Sequence, residues 1–254
     1  MILNYKSYGQ GPALIILHGL FGSLDNWASH ARVLEKDYSV YLLDLRNHGR
    51  SFHSPEMNYG AMAEDLQAFM DAEGIFSAYV LGHSMGGKVA MELAGRHPFS
   101  VDKLIVADMG VKTYPPHHTV ILETLRNIPL EKMETRKDVE AYLTNALKDD
   151  NTTIQFLLKG LGRANDNAFE WKFNFDAIDK HYDEILAGVH PEVFDKPTFF
   201  LYGGNSQYVL PQDFDEIRAY FPRVAFDVMP NTGHWLHAEN PTLFLEKIQA
   251  FLEK

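Results

Sequence analysis

The five-residue segment 82–86, with the sequence Gly-His-Ser-Met-Gly, constrains the fold of this chain more than any other feature. It follows an apolar, strand-like run and precedes a helix-like one. A serine between two glycines in this spacing is typical of a sharp strand-to-helix turn, at which larger flanking side chains would collide. Such a turn exposes the Ser84 hydroxyl and directs the free N–H groups of the helix N-terminus towards the same point. The segment therefore predicts a nucleophile with part of an anion site.

Strand-like and helix-like segments alternate on both sides of this turn. Continuous apolar runs at 13–17, 38–43, 104–107 and 198–202 are typical of strands that are buried on both faces. The alternation predicts an α/β fold with a mostly parallel, doubly wound sheet and helices on both faces. Residues 111–190 interrupt the pattern with several helical segments and few strand-like ones. We expect residues 1–110 and 191–254 to form the core and residues 111–190 to be inserted as a helical cap.

Composition narrows the class of function. The 254 residues carry a formal net charge of −11, which argues against nucleic acid or an anionic membrane surface as the main partner. The chain contains no cysteine, so disulfides, thiol nucleophiles and thiolate metal sites are excluded. Its N-terminus is strand-like rather than signal-like, and no apolar run is long enough to span a bilayer. We expect a cytoplasmic protein without stable membrane insertion, and the sequence leaves its oligomeric state open.

His234 is the histidine best placed to act as a base for Ser84. It follows the last predicted strand, and because the strands of a parallel sheet end at one edge, its loop can reach the turn at Ser84. His237 is the second candidate. These two histidines lack the i, i+4 spacing and the glutamate of the helical zinc motif, so no metal is expected. We expect His117 and His118, in the predicted cap, to be solvated.

Four ordered elements of the sequence resemble those of the α/β-hydrolase fold superfamily. They are the His-Gly pair at 18–19, the Asp-x-Arg-x-His-Gly-x-Ser segment at 44–51, the turn at Ser84 and the Gly-His pair at 233–234. More narrowly, the runs 17–27, 46–49 and 203–206 look like those of small bacterial carboxylesterases and mitochondrial abhydrolase-domain proteins. The resemblance implies a sheet of about eight strands. It also implies a serine carboxylic-ester hydrolase that acts through an acyl-enzyme and needs no cofactor.

The position of the acid is where this sequence departs from the superfamily pattern. Most members carry the acid after the strand that follows the cap, but here that segment reads Gly-Gly-Asn-Ser, with Ser206 at the acid position. Asp108 ends the preceding strand at the same predicted edge as Ser84, and the narrower subfamily has its acid there. A carboxylate at either strand end could accept the Nδ1–H of His234. We therefore expect Asp108 to be the acid, with Asn205 and Ser206 hydrogen-bonded to the His234–Asp108 pair.

Two backbone N–H groups are expected to stabilise the developing oxyanion. One belongs to Met85, at the predicted helix N-terminus. The other should come from the loop after the early strand, with Leu20 as the first choice and Phe21 as the second. His18 and His48 are expected to hold their loops by hydrogen bonds rather than to take part in the chemistry.

Several apolar side chains are candidates for an acyl pocket beside the nucleophile: Phe21, Trp27 and Trp235, and Phe156, Leu157 and Trp171 of the predicted cap. The expected substrates are small to medium acyl esters or thioesters. One alternative is a carbon–carbon bond hydrolase, a lyase-like enzyme or a perhydrolase on the same fold. The other is a ligand-binding protein that keeps the pocket without turnover.

Overall fold

The computed structural model describes residues 1–148, 150–164 and 167–254. Within these residues the strands are β1 (Tyr5–Tyr8), β2 (Ala13–Leu17), β3 (Ser39–Leu43), β4 (Ala78–His83), β5 (Val101–Ala107), β6 (Leu161–Arg163), β7 (Phe169–Trp171), β8 (Thr198–Gly203) and β9 (Val224–Met229). The helices are α1 (Ala28–Leu34), α2 (Tyr59–Glu73), α3 (Met85–Arg96), α4 (Thr119–Asn127), α5 (Arg136–Ala146), α6 (Asn151–Lys159), α7 (Phe175–Lys180), α8 (Tyr182–Leu186), α9 (Phe214–Tyr220), α10 (Leu236–Glu239) and α11 (Pro241–Leu252).

The main sheet confirms the predicted α/β class. In the described residues it has seven strands in the order β1-β3-β2-β4-β5-β8-β9, against the expected number of about eight. β1 pairs with β3 in the antiparallel direction, and each of the other neighbouring pairs is parallel. This strand order brings β4 and β5 to the middle of the sheet, where both are covered on two faces.

The apolar runs form strands because each face of the sheet has its own hydrophobic layer. Leu104 and Val106 of β5 pack with α2 and α3 on one face. Ile105 and Ala107, the alternate residues, pack with α1 and α11 on the other face. A strand that is buried on both faces needs an apolar residue at every position, because successive side chains point to opposite faces. The apolar runs of the sequence have this pattern.

The carboxyl ends of the parallel strands meet at one edge of the sheet. Leu17 of β2 is level with Gly82 of β4, and His83 of β4 is level with Ala107 of β5. Ala107 is in turn level with Leu201 of β8. The loops that leave β2, β4, β5 and β8 are therefore neighbours, although residues far apart in the chain form them.

The segment between β5 and β8 contains α4 to α8 and the antiparallel hairpin of β6 and β7, which the sequence did not predict. Its two ends lie side by side, because Val189 N–H donates to the Val111 carbonyl at 2.8 Å. The buried Lys88 of α3 donates from Nζ to the carbonyl of Lys112 at 3.0 Å and also to that of Ala187. The division into a core and a separate cap stays a prediction. None of the helices in the described part of the chain combines the length and apolarity that crossing a membrane requires.

Candidate active site

Ser84 occupies the sharp turn that the sequence predicts between β4 and α3. Its backbone has φ 54° and ψ −123°, a left-handed conformation that costs a non-glycine residue about 1–3 kcal/mol. The flanking glycines are required by close packing. A Cβ on Gly82 would lie 2.1 Å from the Gly86 carbonyl oxygen, and a Cβ on Gly86 would lie 2.6 Å from the His18 carbonyl oxygen. The turn therefore presents the Ser84 hydroxyl at the carboxyl edge of the sheet.

A continuous chain of hydrogen bonds links Ser84, His234 and Asp108. Nε2 of His234 is 2.9 Å from Oγ of Ser84, and Nδ1 of His234 is 2.8 Å from Oδ2 of Asp108. Because an ionised carboxylate only accepts, Nδ1 carries the proton and Nε2 is left to accept from the serine hydroxyl. His237, the second candidate base, instead stacks on Trp27 with ring centroids 4.5 Å apart.

Asp108 is fully buried and is held by donors from the neighbouring strand. Gly203 N–H donates to Oδ1 at 3.0 Å, and the Ser206 hydroxyl donates to Oδ2 at 2.5 Å. These two donors hold the carboxylate in place beside His234. Ser206, at the position where the superfamily usually has its acid, therefore contacts the carboxylate of Asp108. Asn205 is exposed, and within the described residues its side chain makes no hydrogen bond to this pair.

Tyr208 is a neighbour of His234 that the sequence analysis missed. Its ring stacks on the imidazole with centroids 3.8 Å apart and an angle of 15° between the planes. Its hydroxyl is 2.5 Å from Nε2 of His117. On the main-chain side, Nε2 of His83 donates to the His234 carbonyl at 2.8 Å. The imidazole is thus fixed through its ring face, its Nδ1–H and its own backbone.

The loop after β2 has backbone N–H groups close to Ser84. Phe21 N–H donates to Nε2 of His48 at 3.2 Å, whereas Leu20 N–H has no acceptor in the part of the chain that the structure describes. Met85 is the first residue of α3, so its N–H has no acceptor within the helix. This geometry favours Leu20 over Phe21 as the second donor for an oxyanion.

His18 and His48 hold the backbone of this loop and of its neighbour. His48 bonds through Nδ1 to the Arg46 carbonyl at 2.9 Å, and His18 accepts from Leu45 N–H through Nε2 at 3.0 Å. Both rings are buried, and burial lowers the pKa of His48 to about 3. Desolvation also lowers the pKa of His18. The two imidazoles therefore stay neutral at physiological pH. In the neutral form, Nε2 of each ring can accept a hydrogen bond from a backbone N–H.

A cavity of about 260 Å³ opens beside Ser84. Apolar side chains from the segment between β5 and β8 and from the His234 loop form part of its lining. The lining residues are Gly19, Leu20, Phe21, His83, Ser84, His117, His118, Ile121, Asp150, Thr153, Phe156, Leu157, Tyr208, His234 and Trp235. Phe21, Phe156, Leu157 and Trp235, four of the predicted pocket residues, are among them, and the Trp235 ring packs on that of Phe156 with centroids 4.2 Å apart. Trp27 and Trp171 do not line this cavity, because they stack on His237 and Phe173 instead.

His118 lies in the wall of this cavity rather than in solvent, so the expectation that it is solvated is wrong. Its Nδ1 is 2.9 Å from the Tyr182 hydroxyl, and burial lowers its pKa to about 3. His117 is exposed but also reaches the cavity. In the described residues, no cluster of three or more His, Cys, Asp or Glu side chains has an arrangement that could hold a metal ion.

Comparison with known proteins places these observations in a family context. The family described as alpha/beta hydrolase fold matches residues 12–241. The chain is 38% identical to the sn-1-specific diacylglycerol lipase ABHD11 of Mus musculus over 95% of this chain and 81% of that protein. It is 37% identical to Esterase YbfF of Escherichia coli, over 94% and 92% of the two chains. The solved structure titled Marine microorganism esterase superposes with a TM-score of 0.96 and 39% identity over 98% of this chain and 99% of that chain.

Proposed function

Because the chain belongs to the α/β-hydrolase fold family, we propose that Ser84, His234 and Asp108 form its catalytic triad. The protein is a serine ester hydrolase, as its similarity to esterases over nearly the whole chain establishes, and its substrate is a small-molecule ester. The observation that carries the assignment of the triad is the hydrogen-bond chain, with 2.9 Å between His234 and Ser84 and 2.8 Å between His234 and Asp108. The carbon–carbon hydrolase and ligand-binding alternatives gain no support from these relatives.

The proposed reaction begins with attack of Ser84 Oγ on the ester carbonyl carbon. Nε2 of His234 takes the hydroxyl proton as the new C–O bond forms, and the Asp108 carboxylate stabilises the resulting imidazolium. The negative charge on the carbonyl oxygen is stabilised by the N–H groups of Leu20 and Met85, each worth about 3–4 kcal/mol at comparable sites. The tetrahedral intermediate collapses when His234 returns the proton to the leaving oxygen or sulfur. An acyl-enzyme on Ser84 remains.

Water completes the cycle in the proposed mechanism. His234 removes a proton from a water molecule, which attacks the acyl carbonyl carbon while the same two N–H groups stabilise the oxyanion. Return of the proton to Ser84 Oγ breaks the acyl bond and releases the carboxylic acid. Each step of this mechanism uses water, the side chains of the triad and the two backbone N–H groups.

The substrates that we propose are esters or thioesters with small to medium acyl chains. The cavity of about 260 Å³ lies just below the range of about 300–1,000 Å³ that is usual for sites of drug-sized ligands. Its apolar side, with Phe156 and Leu157, suits an acyl chain of a few carbons. A cytoplasmic location stays a prediction.

Rapid-mixing kinetics with p-nitrophenyl butyrate tests the proposal. The acyl-enzyme mechanism predicts a burst of p-nitrophenol that is stoichiometric with the protein when deacylation limits turnover, and Ser84→Ala should show neither burst nor turnover. A panel of acetyl to dodecanoyl esters and the corresponding thioesters then measures the chain-length limit. Full turnover by Ser84→Ala would refute the assignment of the nucleophile.

A further inference from the structure

Part of the lining of the cavity is polar. It contains His117, His118 and the hydroxyl-bearing ring of Tyr208. Both ring nitrogens of His117 are occupied, because Nδ1 bonds to the Pro115 carbonyl at 2.8 Å and Nε2 bonds to the Tyr208 hydroxyl at 2.5 Å. The hydrogen of that hydroxyl is used in the same contact. Of these three residues, His118 is the one that can still offer a donor.

The contacts of His118 fix which of its nitrogens carries the hydrogen. The Tyr182 hydroxyl oxygen accepts from the backbone N–H of His118 at 3.1 Å and lies 2.9 Å from its Nδ1. Among the described residues, Nδ1 is the only acceptor near this hydroxyl, so the hydroxyl donates its own hydrogen to Nδ1. The neutral ring then carries its hydrogen on Nε2. Within the described residues Nε2 has no partner, and it is not among the polar atoms that are both buried and unpaired.

The charges around the cavity disfavour an anionic ligand. Among the residues that line the cavity there is no lysine or arginine, and Asp150 contributes a carboxylate. Burial holds the pKa of both His83 and His118 well below 6.5, so neither supplies a positive charge at neutral pH. The formal net charge of −11 adds long-range repulsion of anions.

We propose that the Nε2–H of His118 binds an acceptor oxygen of the substrate, and that the site selects compact, uncharged esters that carry an ether, hydroxyl or carbonyl oxygen besides the scissile ester. This inference rests on the proposed function and names its substrate class. His118 is then a specificity-determining residue, distinct from the three residues of the triad.

Three p-nitrophenyl esters of matched size test the inference. The pentanoate is wholly alkyl, the 3-methoxypropanoate replaces one methylene by an ether oxygen, and the hydrogen succinate carries a carboxylate. The readout is the ratio of kcat/KM between two esters in the same variant. The intrinsic reactivity of each ester cancels when this ratio is compared between variants.

The decisive variants change the donor at position 118. His118→Leu should lower the ratio of methoxypropanoate to pentanoate about threefold to tenfold, the range expected for loss of one hydrogen bond. His118→Gln, whose amide places an N–H near the former Nε2, should restore most of the ratio. His190→Leu is the matched control, because His190 bonds to Tyr220 and does not line the cavity. If His118→Leu fails to fold, His118→Phe provides the same comparison.

The charge argument is tested with the succinate ester. Wild-type protein should hydrolyse it at least tenfold less efficiently than the pentanoate. Asp150→Asn removes the negative charge and should raise that relative efficiency. The helix cap is retained, because asparagine can still accept from Thr153 N–H, as Asp150 does at 3.1 Å. A wild-type preference for the succinate ester would overturn the selection of uncharged substrates.

Different results would contradict the role of His118 and the acyl-enzyme mechanism at Ser84. An unchanged ratio of methoxypropanoate to pentanoate in His118→Leu, with the burst at Ser84 retained, would overturn the role of His118 alone. Absence of a burst with all three esters in wild-type protein would instead refute the proposed acyl-enzyme mechanism.

Discussion

Asp108→Asn is the substitution whose consequence follows most directly from the hydrogen bonds of the site. The side chain changes by one atom, at a position that is fully buried, so its volume and packing are preserved. What changes is the number of acceptors. Asp108 receives the Gly203 N–H on one oxygen, and the Ser206 hydroxyl and His234 Nδ1–H on the other.

The direction and size of the effect follow from how an amide must orient there. Gly203 N–H is fixed by the backbone and needs an acceptor at 3.0 Å, so the amide oxygen takes the Oδ1 position. The NH₂ group then faces Nδ1 of His234, which must give up its hydrogen to accept from the amide. The hydrogen moves to Nε2, which can no longer accept the Ser84 proton. The same change of tautomer costs about 10⁴ in kcat in serine proteases, or roughly 5.5 kcal/mol.

Steady-state hydrolysis of p-nitrophenyl butyrate measures this loss. We expect kcat to fall by three to four orders of magnitude, with KM changed much less. Asp102→Asn is the matched control, because Asp102 lies at the opposite end of the same strand and bonds to Ser77 on the surface. Near-full activity of Asp108→Asn would refute the reasoning about the acid.

A second substitution can return the acid from the neighbouring strand. Ser206 Oγ is 2.5 Å from the Asp108 oxygen that faces His234, so an aspartate at position 206 would bring a carboxylate to the same imidazole. The double variant with Asp108→Asn and Ser206→Asp should therefore have a kcat at least tenfold higher than that of Asp108→Asn alone. No recovery in a folded double variant would show that position 206 cannot supply the acid in this site.

Three further predictions concern the surrounding structure. His48→Leu removes the acceptor of Phe21 N–H and should lower kcat about tenfold to hundredfold by loosening the Leu20 donor; a rise of KM with kcat unchanged would contradict this. Burial lowers the pKa of Lys88 from 10.5 to about 7, so between pH 7 and 10.5 the unfolded chain binds more protons than the folded one. Over this range the free energy of unfolding of the wild type should rise with pH relative to that of Lys88→Met, by up to ~1.4 kcal/mol per pH unit. The same pH dependence of the free energy of unfolding in both proteins, measured by urea unfolding, would contradict this. Buried histidines with a lowered pKa take up protons when the chain unfolds below pH 6.5. The free energy of unfolding should therefore decrease as the pH falls below 6.5, by as much as ~1.4 kcal/mol per pH unit for each of them. A free energy of unfolding that is constant from pH 7 to 5 would contradict this. These histidines are His18, His30, His48, His83, His118 and His237.

The fold could be predicted because its signals are local. Apolar runs identify strands that are buried on both faces, and the geometry of parallel sheets then brings their ends to one edge. These two signals predict that the ends of β4 and β5 and the loop after β9 lie beside one another. The structure has Ser84, Asp108 and His234 in this arrangement. The segment 203–208 contains no carboxylate, which leaves Asp108 as the acid at this edge of the sheet.

The rest of the site depends on contacts that no local pattern encodes. The geometry that favours Leu20 over Phe21 depends on the ring of His48, which lies 27 residues away from Phe21 in the chain. The place of His118 in the cavity wall is fixed by Tyr182, 64 residues further on. Tyr208 stacks on His234 across two loops. The contact of His118 with Tyr182 follows from the packing of the segment between β5 and β8, where helical periodicity predicts helices but not which of their side chains face the nucleophile.

Active-site labelling tests the central claim, that Ser84 is the nucleophile, most directly. Folded protein is incubated with a fluorophosphonate, the intact mass is measured, and the modified peptide is sequenced. We predict one adduct per chain on Ser84, no adduct on Ser84→Ala and much slower labelling of Asp108→Asn. No adduct on the folded wild-type protein, or an adduct on a residue other than Ser84, would contradict the account.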